Sequence, residues 1–256
     1  MIRDKKHIGE YLEFRTASNR SHFHHADSVK LLSDPLQKVI KKDQYLKPEH
    51  LSNDLAMQIF IESCCLHCKD FQVDEHNKDV ICNIVYYVTR SPKFSAAGIN
   101  YSFGKGLMIK GRVGCGKTIL MKGLNSFLAI FHFRDDYRND FSLTFESVNA
   151  YSISEYYAKQ GIEILENGIG NNRKLYLLSG GLLIDDIGAE PIVSYYGNQS
   201  NIIAEILLRR YDRKLLTYAT TNLDAAHLKK MYGDRAASRM KSMFNEMYLK
   251  GDDRRK

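Results

Sequence analysis

Three short stretches of this 256-residue chain combine residue types whose spacing could do chemistry. The first is Gly111-Arg112-Val113-Gly114-Cys115-Gly116-Lys117-Thr118, a full match to G-x-x-x-x-G-K-[ST]. Glycines at 111, 114 and 116 let the backbone curl until successive N–H groups face phosphate oxygens. A helix that begins here adds positive potential at its N-terminus. Lys117 would then set its charge on the β- and γ-phosphates of a nucleotide, and the Thr118 hydroxyl would ligate Mg²⁺. Residues Gly111 to Ile119 are thus the expected nucleotide-binding segment. Cys115 within it is either a reactive thiol or a small filler, and we prefer the filler.

The second stretch, Leu182-Leu183-Ile184-Asp185-Asp186, is an apolar run ending in two carboxylates, a Walker B pattern. A buried parallel strand would deliver both acids at its C-terminal edge, beside the phosphate loop. Asp185 is the expected Mg²⁺ ligand and Asp186 the group that orients and polarises an attacking water. The third stretch, Leu215-Leu-Thr-Tyr-Ala-Thr-Thr-Asn222, is a further apolar run with a polar end. Asn222 there can reach the γ-phosphate or the lytic water, although asparagine is also an ordinary turn residue.

Placing these groups takes strands alternating with helices. Apolar runs occur at Leu107–Ile109, Leu143–Val148, Leu182–Ile184, Leu215–Ala219 and Met247–Leu249, separated by helical patterns. That alternation predicts an α/β domain of three α/β/α layers around a parallel sheet. Upstream, Pro48 with Leu51, Leu55, Ile59 and Phe60 reads as one helix. Asn77 to Thr89 reads as another, broken by Ser91-Pro92. Residues 1–45 are polar, with a histidine patch at Ser21–His25, and read as a mobile arm or a short helical pair. We therefore divide the chain into a helical N-terminal region, 1–95, and an ATPase-like domain, 96–256.

Composition narrows the class. No apolar stretch approaches the roughly 20 residues needed to span a bilayer, and the basic start is followed by no apolar core of a signal peptide. A soluble, cytoplasmic protein is expected. Five cysteines, an odd number, argue for reduced thiols rather than a disulfide framework. Cys65-Leu-His-Cys68 has metal-like spacing, with His67, His76 and Cys82 nearby, but no second pair closes a tetrahedral site. A buried helical face is the better reading. The net charge is +7, and from His227 to Lys256 nine bases face four acids, a local +5. This balance favours a polyanionic partner such as DNA.

The segments GRVGCGKT, LLIDDIG, RRYDRKLLTYATTNL and YGDRAASRM, in this order and spacing, resemble the AAA+ ATPases of the DnaC/DnaI helicase-loader and IstB transposition-ATPase group. The likeness covers roughly residues 100–250. It implies a sheet of strand order 5-1-4-3-2, with ATP and Mg²⁺ bound between neighbouring copies in an ATP-dependent homo-oligomer. It also implies an arginine finger reaching the neighbour's ATP. In YGDRAASRM, Tyr232-Gly233 would end one helix and Asp234 would cap the next. Arg235 and Arg239 then share one helix face. The family motif points to Arg239 as the finger, with Arg235 as neighbour or substitute, and a finger supplied in trans is worth about 10³–10⁵ in rate. Arg210 is a weaker candidate for a subunit interface.

There are departures from the family. Asp186 stands where many AAA+ proteins carry glutamate, so hydrolysis is expected to be slow and dependent on assembly or DNA, with Glu190 four residues on as a possible substitute. Little chain follows the fifth apolar run, leaving no room here for a full helical lid; Arg254 and Arg255 could touch phosphate or DNA, or form a basic tail. The function implied is an adaptor that delivers a replicative helicase onto DNA, with single-stranded DNA favoured. The alternative is an IstB-like ATPase assisting a transposase. A P-loop small-molecule kinase would need an acceptor pocket and a lid, but neither Asn222 nor a trans arginine. A nucleotide switch that scarcely hydrolyses ATP is kept open by Asp186.

Overall fold

The computed structural model describes residues 32–34, 36–37, 47–98, 100–131, 143–171, 174–191, 193–195, 198–199 and 201–255. The histidine patch and most of the polar arm lie outside the described residues. Among those described, no helix is long and apolar enough to cross a membrane.

Five strands form one parallel sheet: β1 (Gly106–Gly111), β2 (Glu146–Asn149), β3 (Leu182–Ile187), β4 (Thr217–Thr221) and β5 (Phe244–Leu249). Their order across the sheet is β2-β3-β4-β1-β5, the 5-1-4-3-2 arrangement anticipated. The central strands are buried on both faces, which is why they read as continuous apolar runs. On one face Leu107, Ile109, Leu183, Tyr218, Met247 and Leu249 pack against α1 (Asn53–Cys65), α2 (Lys78–Val88) and α4 (Lys117–Ile130). On the other, Met108, Leu182, Ile184, Ala219 and Phe244 meet α5 (Ala150–Gln160), α6 (Ile164–Asn167), α7 (Ile202–Asp212) and α8 (Ala225–Met243). The short α3 (Pro92–Ala97) begins on Pro92, so that proline both ends the preceding helix and opens a new one.

The second apolar run starts late. Leu143 and Phe145 are buried ahead of the strand, which pairs with β3 only from Glu146. Phe145 packs against Tyr218 with ring centroids 4.4 Å apart and planes tilted by 43°, so its burial comes from ring packing rather than from the ladder. Helix starts follow capping chemistry. Ser52, Asn149, Asn201 and Asp224 each accept a backbone N–H of the first turn through a side-chain oxygen.

The N-terminal helices share the core of the sheet's first face. α1 crosses α4 at Gly123, where a Cβ would come within 2.3 Å of the Cys64 sulfur. That contact explains a glycine in mid-helix, where it would otherwise cost about 1 kcal/mol against alanine.

Candidate active site

The phosphate loop joins β1 to α4, as its sequence requires. Gly114 (φ 77°) and Gly116 (φ 107°) take left-handed conformations that let the loop curl. Gly111 serves differently from expectation. It is the last residue of β1, and a Cβ there would lie 2.4 Å from the Leu249 carbonyl of β5, so close strand approach demands the glycine. Lys117 is buried, its Nζ donating to the carbonyls of Gly111 (3.0 Å) and Arg112 (2.9 Å). The ammonium is thus fixed beneath the loop by two carbonyls. Arg112 and Val113 are exposed at the tip, while Cys115 is buried beside Gly111, in keeping with the filler role. Ile119 is half-buried against the first-face core.

The two acids stand on a bulge. The β3–β4 register shifts between Ile184 and Ile187, and Asp186 adopts φ 56°, a left-handed backbone that aspartate tolerates better than most residues. The bulge aims consecutive carboxylates to one end of the sheet instead of to opposite faces. Asp185 accepts the Thr118 hydroxyl at 3.1 and 3.3 Å, bringing together the two groups expected to share a cation. A hydroxyl and a carboxylate are hard oxygen donors that suit Mg²⁺. Burial raises the Asp186 carboxyl above its usual range. The charge of Asp185 adds to the shift, while Lys117 and Arg255 oppose it.

Thr220 holds this bulge in place, a residue the sequence analysis passed over. Its hydroxyl donates to Asp185 Oδ1 at 2.5 Å and accepts the Asp186 N–H at 2.8 Å. Thr221 repeats the pattern one step on, donating to the Ile187 carbonyl at 2.6 Å and accepting the Leu223 N–H. Asn222 follows as an exposed residue at the strand's end. The clue in the sequence was the Thr-Thr pair before it, which reads equally well as ordinary strand formers.

The arginines separate into different roles. Arg239 lies over the Tyr211 ring at 4.4 Å and donates to its hydroxyl at 3.2 Å, and Arg235 is exposed one turn earlier. Both follow the break at Gly233 (φ 82°, ψ 166°) that divides α8, as the glycine stop predicted. Asp234 pairs with Lys229 at 2.9 Å. Arg210 corrects our expectation. It is 0 % exposed, donating to the carbonyls of Leu177, Ser179, Gly180 and Leu216 and to the Thr217 hydroxyl, so it cannot reach a neighbouring subunit. Burial without a carboxylate partner lowers its pKa to about 10.

Glu190 is likewise committed elsewhere. Its carboxylate accepts the Tyr232 hydroxyl and the Gly188 N–H, tying the loop after β3 to the first half of α8. A cavity of about 540 Å³ opens beside that joint, lined by Gly188, Glu190, Leu223, His227 and Met231 among others, but by none of residues 111–119, 185 or 186. Among the described residues no group of three or more His, Cys, Asp or Glu could hold a metal. Cys64 is buried, but α1 ends at Cys65, Cys65 and Cys68 are half-buried rather than on a buried helical face, and His67 Nε2 lies 2.8 Å from the Ser126 hydroxyl.

No protein-family model matches the chain, and no curated protein matches it. Among solved structures it is similar to a primosome component from Streptococcus pyogenes serotype M3. That match has 21% identity and a TM-score of 0.49, covering 76% of this chain and 91% of the other. A DnaC helicase loader matches with 18% identity and a TM-score of 0.47, over 72% and 95%. DnaI matches with 22% identity and a TM-score of 0.47, over 73% and 89%.

Proposed function

We propose that the protein is an ATP-binding and ATP-hydrolysing AAA+ adaptor that acts on DNA, a DnaC-like loader of a replicative helicase. The observation that carries the nucleotide reading is the meeting of Thr118 with Asp185 at 3.1 Å, from two segments 67 residues apart. A loop hydroxyl and a strand-end carboxylate come together beside a buried lysine, the set that a Mg²⁺–nucleotide requires. Thr118 and Asp185 would hold the cation, which when bound supplies charge neutralisation at the β- and γ-phosphates. Lys117 binds the phosphates. Asp186 orients a water whose oxygen forms a bond to the γ-phosphorus as the bond to the bridging oxygen breaks, and ADP leaves. Arg239, with Arg235, completes the site from a neighbouring copy, and Asn222 senses the γ-phosphate.

The client reading rests on the order and spacing of the four motif segments, together with the net +5 of residues 227–256. The N-terminal region, residues 1–95, would grip the client. The same motifs also support an IstB-like partner of a transposase. Affinity capture from the native host with an ATP analogue tests both readings. A replicative helicase as the dominant partner supports the loader, and a transposase without helicase moves the function to target-site selection. Capture of neither removes the adaptor reading. Stimulation of turnover by single-stranded DNA over duplex would support the preferred DNA form.

A further inference from the structure

The segment after β5 does not hang free. Gly251 (φ 102°) turns the chain beside His76, and residues 252–255 then lie across the phosphate loop. Three contacts hold it there. Asp252 pairs with Arg112 at 2.6 Å. The Arg254 N–H donates to the Gly114 carbonyl at 3.1 Å. The Asp253 carboxylate sits directly on Gly114, so close that a Cβ on that glycine would fall 1.9 Å from Oδ1. A fourth contact leads away from the loop. The Arg254 guanidinium binds Asp74 through two bonds, 2.7 and 3.0 Å long. Asp74 itself accepts the His76 and Asn77 amides just ahead of α2.

These contacts set two carboxylates at the mouth of a loop whose backbone is shaped for polyphosphate. Asp253 is paired with Arg255, which binds both of its oxygens at 2.9–3.0 Å and also lies within electrostatic reach of Asp186. An arriving triphosphate would bring like charge against Asp253 and compete for the same cations. Both the Arg254 amide and its guanidinium sit in one residue, so lifting the segment from Gly114 also disturbs the pair with Asp74.

We propose that residues 252–255 are a built-in ligand of the phosphate loop, competing with the nucleotide through Asp253 and linking nucleotide arrival to the Asp74 loop of the N-terminal region through Arg254. The proposal rests on the nucleotide-binding reading above. Its consequence is directional: nucleotide on the loop opens the Arg254–Asp74 pair, and nucleotide release lets it close.

The test measures ATP affinity by fluorescent-nucleotide displacement in the full chain and in Asp253→Ala, Asp253→Asn, Arg254→Ala and the swap Asp74→Arg/Arg254→Asp. Asp253→Ala and Asp253→Asn should each bind roughly three- to tenfold more tightly, the scale of one like charge removed near a phosphate in a solvent-exposed site, and less so in high salt. Arg254→Ala should shift affinity in the same direction, and the swap should return it toward the parent value. Hydrogen exchange gives a second readout that does not depend on affinity: the Arg254 amide should be protected without nucleotide and exposed with ATP–Mg²⁺. Unchanged or weaker binding in both Asp253 variants, or an Arg254 amide equally protected in both states, overturns the proposal while leaving nucleotide binding intact. Absence of ATP binding in the parent and in every variant would instead bring down the nucleotide reading, and the proposal with it.

Discussion

Thr220 and Asp185 are joined by a 2.5 Å hydrogen bond, and the same threonine oxygen receives the amide of Asp186. One hydroxyl on β4 therefore sets the direction of both acids on β3. The carboxylate that faces Thr118 and its neighbour Asp186 are not independent groups.

Thr220→Val keeps the shape of the side chain but leaves the Asp186 amide and an Asp185 oxygen without their partner. Stability should fall by about 1–3 kcal/mol, the cost of an unsatisfied buried polar group. Urea denaturation measures the loss. Mg²⁺-dependent nucleotide binding should weaken in parallel, and Thr220→Ser should restore most of both. A valine variant of parental stability and affinity would remove Thr220 from the site.

Asp186→Asn should lower turnover by about 10²–10⁴ while retaining ATP binding, the range expected when a positioned proton acceptor is lost. Because burial raises this carboxyl, the acid limb of the pH–rate profile should lie above that of an ordinary exposed aspartate. The sign for stability is opposite to that of a salt-bridged acid. The raised carboxyl contributes stability at low pH that is lost as pH rises through its folded-state value. At neutral pH the asparagine variant should therefore melt no lower than the parent. Unchanged turnover would show that another group handles the water.

Arg239→Ala should leave the monomer folded, since the side chain only lies on Tyr211, yet cut turnover by about 10³ or more. Mixing it with Lys117→Ala, which binds nucleotide poorly but keeps Arg239, should recover part of the activity. Failure of the mixture to exceed either variant alone would count against a residue acting in trans.

Arg210→Leu strips donors from four carbonyls and a hydroxyl in a fully buried setting and should destabilise the chain by about 3 kcal/mol or more. The loss should be independent of protein concentration. A concentration-dependent defect would return Arg210 to the interface role.

The phosphate loop and the acid pair were legible in the sequence because their chemistry dictates both residue type and spacing. The sheet order followed from the likeness those motifs carry. Other features depend on what lies across the fold. Arginine is almost always exposed, so nothing near Arg210 in the chain announces the carbonyls of Leu177 and Gly180 that enclose it. Gly111 looked like one more flexible loop residue, yet its need is set by Leu249, 138 positions away. Thr220 was hidden by its strand propensity, and Asp253 by a composition that reads as a solvated tail.

The fit of the Cys64 sulfur into the notch at Gly123 has a consequence for how the molecule melts. Two helices that touch through a sulfur and a bare backbone leave no slack for one to loosen while the other holds. Heating should therefore give a single calorimetric peak in which the helices before β1 and the nucleotide half unfold together. A β-branched side chain at position 123 would split that peak before it harmed the phosphate loop.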